Sequence, residues 1–129
     1  MRTLNITVDI AVEPDAVMAY ASDPRNLPYW APGFARSIEP EGDEWIVQTE
    51  QGPVRLWFTP PNADGILDHV VRLPNGEEFM NTMRVLAHAM GSTVSFVLHQ
   101  HEGMSEAQFE QDAELVRADL LNLKALLED

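Results

Sequence analysis

The stretch SEAQFEQDAELVRADLLNLKALL, residues Ser105–Leu127, decides how the rest of the chain is read. Its apolar residues Phe109, Ala113, Val116, Leu120, Leu123 and Leu127 are spaced 4, 3, 4, 3 and 4 apart. At 3.6 residues per turn this spacing predicts a helix with one narrow apolar stripe. Its start is legible too. The Ser105 hydroxyl is placed to accept from the Gln108 N–H, and the Gln108 side chain to reach back, as in a capping box. Burial of each large side chain in the stripe contributes at most ~1.5–3 kcal/mol, since the unfolded chain already hides part of that surface. Such a helix needs a broad apolar surface to lie on, and the preceding residues supply one.

Leu4, Ile6, Val8, Ile10 and Val12 alternate with Thr3, Asn5, Thr7, Asp9 and Ala11, the period-two pattern of a strand with one buried face. Pro14 suits the first position of a helix and Asp15 its positive end, with Ala16, Val17, Tyr20 and Ala21 on a buried side. The Pro-rich run Ser22–Gly33 breaks that helix and leaves room for one more helical turn. From Phe34 to His101, five turns rich in Gly, Pro and Asn separate six short strands: Phe34–Pro40, Glu44–Glu50, Val54–Thr59, Ile66–Leu73, Glu77–Ala89 and Thr93–His101. Connections this short predict an antiparallel meander.

With 129 residues, 45% of them hydrophobic, the chain suits a single domain spanning residues 1–129. It contains no cysteine, so disulfides, a thiol nucleophile and thiolate metal sites are excluded, and a cytoplasmic location is expected. The alternating N-terminus does not resemble a signal peptide, and no apolar run approaches membrane-spanning length. The formal charge of −13, from 21 acidic and 8 basic residues, opposes binding to nucleic acid or an anionic membrane.

The element order is strand, two short helices, six strands and one long helix, and a single sheet with that helix laid over it covers both apolar faces. Here the chain resembles a family. Val17-x-x-Tyr20, then Ser22-Asp23-Pro24-Arg25-Asn26-Leu27 and then Trp30, is similar to the start of SRPBCC domains, the START and Bet v 1-like helix-grip superfamily, including its polyketide cyclase/dehydrase-like members. The hairpin at Gly91-Ser92-Thr93-Val94-Ser95-Phe96 and the last helix look like that family too, so the resemblance covers essentially the whole chain. It implies an α+β fold: a curved seven-stranded antiparallel sheet wrapped around a long C-terminal helix, two short helices between strands 1 and 2, and an apolar cavity inside. It implies no single function, because members include lipid and hormone binders, polyketide cyclases, oxygenase subunits and co-chaperones.

Strand phase selects the residues that face the helix. His69 shares a face with Leu67, Val71 and Leu73; Asn81 shares one with Phe79, Met83 and Val85; Gln100 follows Val94, Phe96 and Leu98. Trp30 and Phe34 stand at the mouth, Val116 and Leu120 come from the helix, and Trp57 is left open because Val54, Leu56 and Phe58 claim the opposite phase. The expected ligand-binding set is therefore Trp30, Phe34, His69, Phe79, Asn81, Met83, Leu98, Gln100, Val116 and Leu120. Each also has a plainer reading as packed or hydrogen-bonded core.

His99 and His101 share one side of a strand, which phase puts outside with His88 as a neighbour across the last hairpin, but no carboxylate stands at metal spacing, a third ligand is not evident and no metal is expected. Asp68 and His69 point to opposite faces, so the carboxylate cannot orient the imidazole. No nucleophile elbow, P-loop or dinucleotide fingerprint is present, and no cofactor is expected. The leading expectation is an apolar small-molecule binder. The alternatives are a polyketide cyclase-like enzyme, with His69 as acid/base and Asn81 as a second catalytic candidate, and an Hsp90-activator-like interaction module. Oligomeric state is open, a homodimer included.

Overall fold

The computed structural model of the chain describes residues 2–50, 52–60, 62–89 and 91–129. The alternating N-terminus forms strand β1 (Thr3–Ile10), and Pro14 then opens helix α1 (Pro14–Ala21). A 3-10 turn at Pro24–Asn26, capped by the Asp23 side chain on the Arg25 N–H at 3.1 Å, leads into the single-turn helix α2 (Leu27–Trp30). Strands β2 (Ser37–Glu41), β3 (Glu44–Thr49), β4 (Gly52–Phe58), β5 (His69–Arg72), β6 (Glu78–His88) and β7 (Gly91–His99) follow, and helix α3 (Glu106–Glu128) ends the chain.

The strands form one curved antiparallel sheet in the order β1-β7-β6-β5-β4-β3-β2. Only β1 leaves the meander, pairing with β7 so that Ile6 stands opposite Phe96 and Val8 opposite Val94. Helix α3 runs along β1 and is tied to it at both ends. Arg2 bonds Glu106 and Glu110 at 2.7 and 2.6 Å and stacks 5.0 Å over the Phe109 ring, while Lys124 donates to the Asp9 carbonyl at 2.8 Å. Phe109, Ala113, Leu120 and Leu123 are buried against the sheet, and Val116 and Leu127 are half-buried. The concave side of the sheet and this stripe share one core with Ile10, Val17, Leu56, Leu67, Met83 and Val94.

The cap of α3 differs from the reciprocal one expected. Ser105 accepts from the Gln108 N–H at 3.1 Å, but the Gln108 side chain turns forward to Asp112, donating at 2.8 Å. Strand limits shift as well. The Phe34 and Ala35 N–H groups both bond the Ala31 carbonyl, at 3.0 and 2.8 Å, so the chain is still turning there and β2 waits until Ser37. Asn62 accepts from the Ile66 N–H at 3.1 Å and donates to its carbonyl at 2.9 Å, which delays β5 to His69. Gly65, at φ +74°, lies where a Cβ would overlap the Val85 carbonyl. Gln51, Pro61 and Met90, each within an expected turn, lie outside the described residues.

Trp57 lies on the outer face, with the Arg72 guanidinium 4.8 Å over its ring. The phase of its strand goes to Val54 and Leu56, which are buried. Arg55 and Arg72 also pair there with Glu41, Glu44 and Glu78; such partly exposed pairs add little stability.

Candidate functional site

Away from β1 and β7 the sheet curves off the helix, and a cavity of about 580 Å³ opens between them. Register builds its sheet wall. Phe58 of β4 stands opposite His69 of β5, and His69 opposite Asn81 of β6, so three side chains form a cross-strand row on one face. The His69 ring lies 5.1 Å from that of Phe58 and 6.0 Å from that of Phe96. Its Nδ1 is 3.1 Å from the Leu67 carbonyl, and its Nε2 is 3.4 Å from the Asn81 amide nitrogen. A carbonyl can only accept, so Nδ1 carries the hydrogen and Nε2 is left as the acceptor of a long bond. Burial pushes the imidazole pKa below its ordinary value, opposed by the Leu67 hydrogen bond and the Asp68 charge. His69 is therefore neutral. Asp68 turns away, accepting from the Met83 N–H at 3.0 Å and pairing with Arg84.

The helix wall is more polar. Gln108, Asp112, Leu115 and Asp119 line the cavity at the same 4, 3, 4 spacing as the apolar stripe, displaced one residue toward the N-terminus. Asp119 is 7% exposed, and its Oδ1 accepts from the Gly33 N–H at 3.1 Å. Burial pushes its carboxyl pKa up to about 6, against the lowering effect of that bond. Trp30 also lines the cavity and is 5% exposed; its indole N–H has no partner among the described residues. An unmet buried donor costs about 1–3 kcal/mol.

No protein-family model and no curated protein matches the chain. Solved structures do match it. XoxI from Bacillus cereus superposes with a TM-score of 0.76 at 15% identity, over 98% of this chain and 95% of that one. The Aha1 dimer from Colwellia psychrerythraea gives 0.74 at 15% identity, over 99% and 97%. Ara h 8.0201 gives 0.70 at 14% identity, over 97% and 96%. The chain has the Bet v 1-like helix-grip fold. At these identities the likeness is one of fold alone.

Within this helix-grip fold, Trp30, Phe34, His69, Phe79, Asn81, Leu98, Val116 and Leu120 line the cavity. Two expected lining residues do not. Met83 shares their face but is fully buried in the core beneath the cavity, opposite Phe96. Gln100 comes after β7 has ended at His99, and there the strand alternation lapses. Its amide accepts from the Arg2 N–H and donates to the Met104 carbonyl, both at 3.0 Å, fastening the approach to α3. The same lapse brings His101, expected outside, into the lining, with its ring 4.1 Å from that of Phe79. His88 lies at the opposite end of the hairpin from His99, 3.6 Å from Asp9, and among the described residues no three His, Cys, Asp or Glu side chains form a metal-holding group. No helix is long and apolar enough to cross a membrane.

Asp119 lies outside the expected ligand-binding set although it lines the cavity. The signal that would have found it is the second 4, 3, 4 stripe, Gln108, Asp112, Leu115 and Asp119, running beside the apolar one.

Proposed function

We propose that this chain binds an apolar small molecule, lipid-, polyketide- or aromatic-like, between its sheet and α3, in the cytoplasm. The observation that carries this reading is the cavity itself. At about 580 Å³ it falls within the roughly 300–1,000 Å³ of small-molecule sites, and its sheet wall is built from Phe58, Phe79, Phe96, Leu98 and Val71 around one neutral imidazole. A void lined by such residues is destabilising when nothing fills it.

Native mass spectrometry of freshly purified protein, compared with a denatured sample, tests the reading. A small molecule released on denaturation, together with saturable Nile red binding that Val116→Trp abolishes in a folded variant, is the expected result. Protein that carries no ligand and binds no dye would remove it.

The enzyme reading keeps one favourable observation, the Nε2 acceptor of neutral His69 beside the Asn81 amide, a pair that could move a proton at a carbonyl-bearing ring. It requires turnover that His69→Leu lowers by ~10²–10⁴-fold. An Hsp90-activator-like module would leave the cavity unused and would show a partner chain in the native spectrum.

A further inference from the structure

Asp119 is an unusual group to find in the wall of an apolar cavity. It sits well inside α3, 7% exposed, and among the described residues the Gly33 N–H is its one hydrogen-bond partner and no cation pairs with it. Buried carboxylates are ordinarily paired, because an uncompensated charge in a low-dielectric site is costly. The rest of the lining does not compensate. Glu50 and Asp112 also face the cavity, and among the described residues no lysine or arginine does. Trp30, on the segment that leads to Gly33, also lines the cavity, and its buried indole N–H has no partner among the described residues. Opposite stands the aromatic and aliphatic sheet wall. The cavity is thus two-sided, with one wall suited to an apolar body and the other short of positive charge.

We propose that the ligand is a lipophilic amine, its apolar body against Phe58, Phe79, Phe96 and Leu98 and its ammonium group donating to the Asp119 carboxylate. This deepens the cavity-binding reading and rests on it. The ammonium supplies the missing cation, and Oδ2 stays available to it while Oδ1 holds the Gly33 N–H. An anionic amphiphile with the same apolar body meets three carboxylates and, among the described lining residues, no lysine or arginine. A neutral one fills the apolar wall but brings Asp119 no positive charge, at most an uncharged hydrogen-bond donor. The carboxyl, although its pKa is raised to about 6, is mostly ionised at pH 7.5.

Displacement of Nile red by dodecylamine, dodecanol and dodecanoate, each below its micelle concentration or solubility limit at pH 7.5, tests the proposal. About 0.5 M salt screens the general attraction of a strongly acidic chain for cations. Dodecylamine is expected to bind at least about tenfold more tightly than the other two, the usual scale for a hydrogen bond to a charged group. In Asp119→Asn, which keeps an acceptor for Gly33, that preference should fall to within about threefold while dodecanol affinity holds. Dodecanoate binding as well as dodecylamine, or an amine preference that persists in folded Asp119→Asn, overturns the proposal. Dodecanol displacing the dye with no amine preference overturns the amine reading alone, whereas failure of all three ligands and of the dye removes cavity binding with it. Should Asp119→Asn not fold, the ranking of the three head groups on the unmodified protein decides.

Discussion

The Gly33 N–H donates to Asp119 Oδ1 at 3.1 Å, joining the chain just after α2 to the inner face of α3. The contact is tight on every side. A Cβ at Gly33 would lie 3.0 Å from Asp119 Oδ1, 3.3 Å from Oδ2 and 3.3 Å from Leu115 Cδ2. Gly33→Ala should therefore destabilise the fold by about 1–3 kcal/mol through overpacking. In an Asp119→Ala background the same change should cost much less. Equal costs in the two backgrounds, by urea denaturation, would show that the strain lies elsewhere.

Asp119 also gives stability a pH dependence of known sign. Burial raises its pKa from an ordinary 3.8 to about 6 in the folded state. Folding therefore favours the protonated form: its contribution is complete below about pH 4 and is lost as pH rises through about 6. Asp119→Asn should be more stable than the unmodified protein at pH 8, by on the order of 1 kcal/mol after allowance for partial solvent access, with little gain at pH 4. Denaturation midpoints at the two pH values measure this, and a gain that does not depend on pH would contradict it.

His69 acts with the opposite sign. Its folded pKa lies below the ordinary 6.5, so its contribution is present above about pH 6.5 and is lost as pH falls through the folded value. His69→Leu strands the Leu67 carbonyl and should cost about 1–3 kcal/mol at pH 7.5 without unfolding the domain, while flattening the acid side of the stability profile. Ligand affinity should fall by about 1–3 kcal/mol if the imidazole touches the ligand. Unchanged affinity in the folded variant would leave His69 a core residue.

Neighbouring leucines on α3 test the helix phase. Leu120 is 2% exposed and Leu121 59%. Leu120→Ala should cost about 2–5 kcal/mol and Leu121→Ala about 0.5 or less. Comparable losses would mean that the helix presents a different face to the sheet.

Fold and wall residues were legible in the sequence to the extent that they follow a period. The 4, 3 spacing from Phe109 to Leu127 places α3 on the sheet, and the alternation around Leu67, His69 and Val71 points His69 inward, where it is buried. Both periods come from local backbone geometry, which each residue carries with it. Where the regular geometry stops, so does the legibility. β7 ends at His99, and two residues later Gln100 and His101 have exchanged the sides that alternation assigned to them.

What the sequence determined by itself was the order of elements, their amphipathic faces and thus the helix-grip architecture, because burial of a periodic apolar face is a property of each segment. The tertiary structure alone decided that the sheet curves away from α3 to leave about 580 Å³, and that Met83 lies beneath the cavity and not on it. It alone brought Gly33 and Asp119, 86 residues apart, into contact. Spacing puts Asp119 and Asp112 on a stripe beside the apolar one, but nothing in the neighbourhood of Asp119 says that its carboxylate meets Gly33 and is desolvated. Its shifted pKa arises from what surrounds it, since desolvation depends on the residues packed around a charge and not on those adjacent to it in the chain.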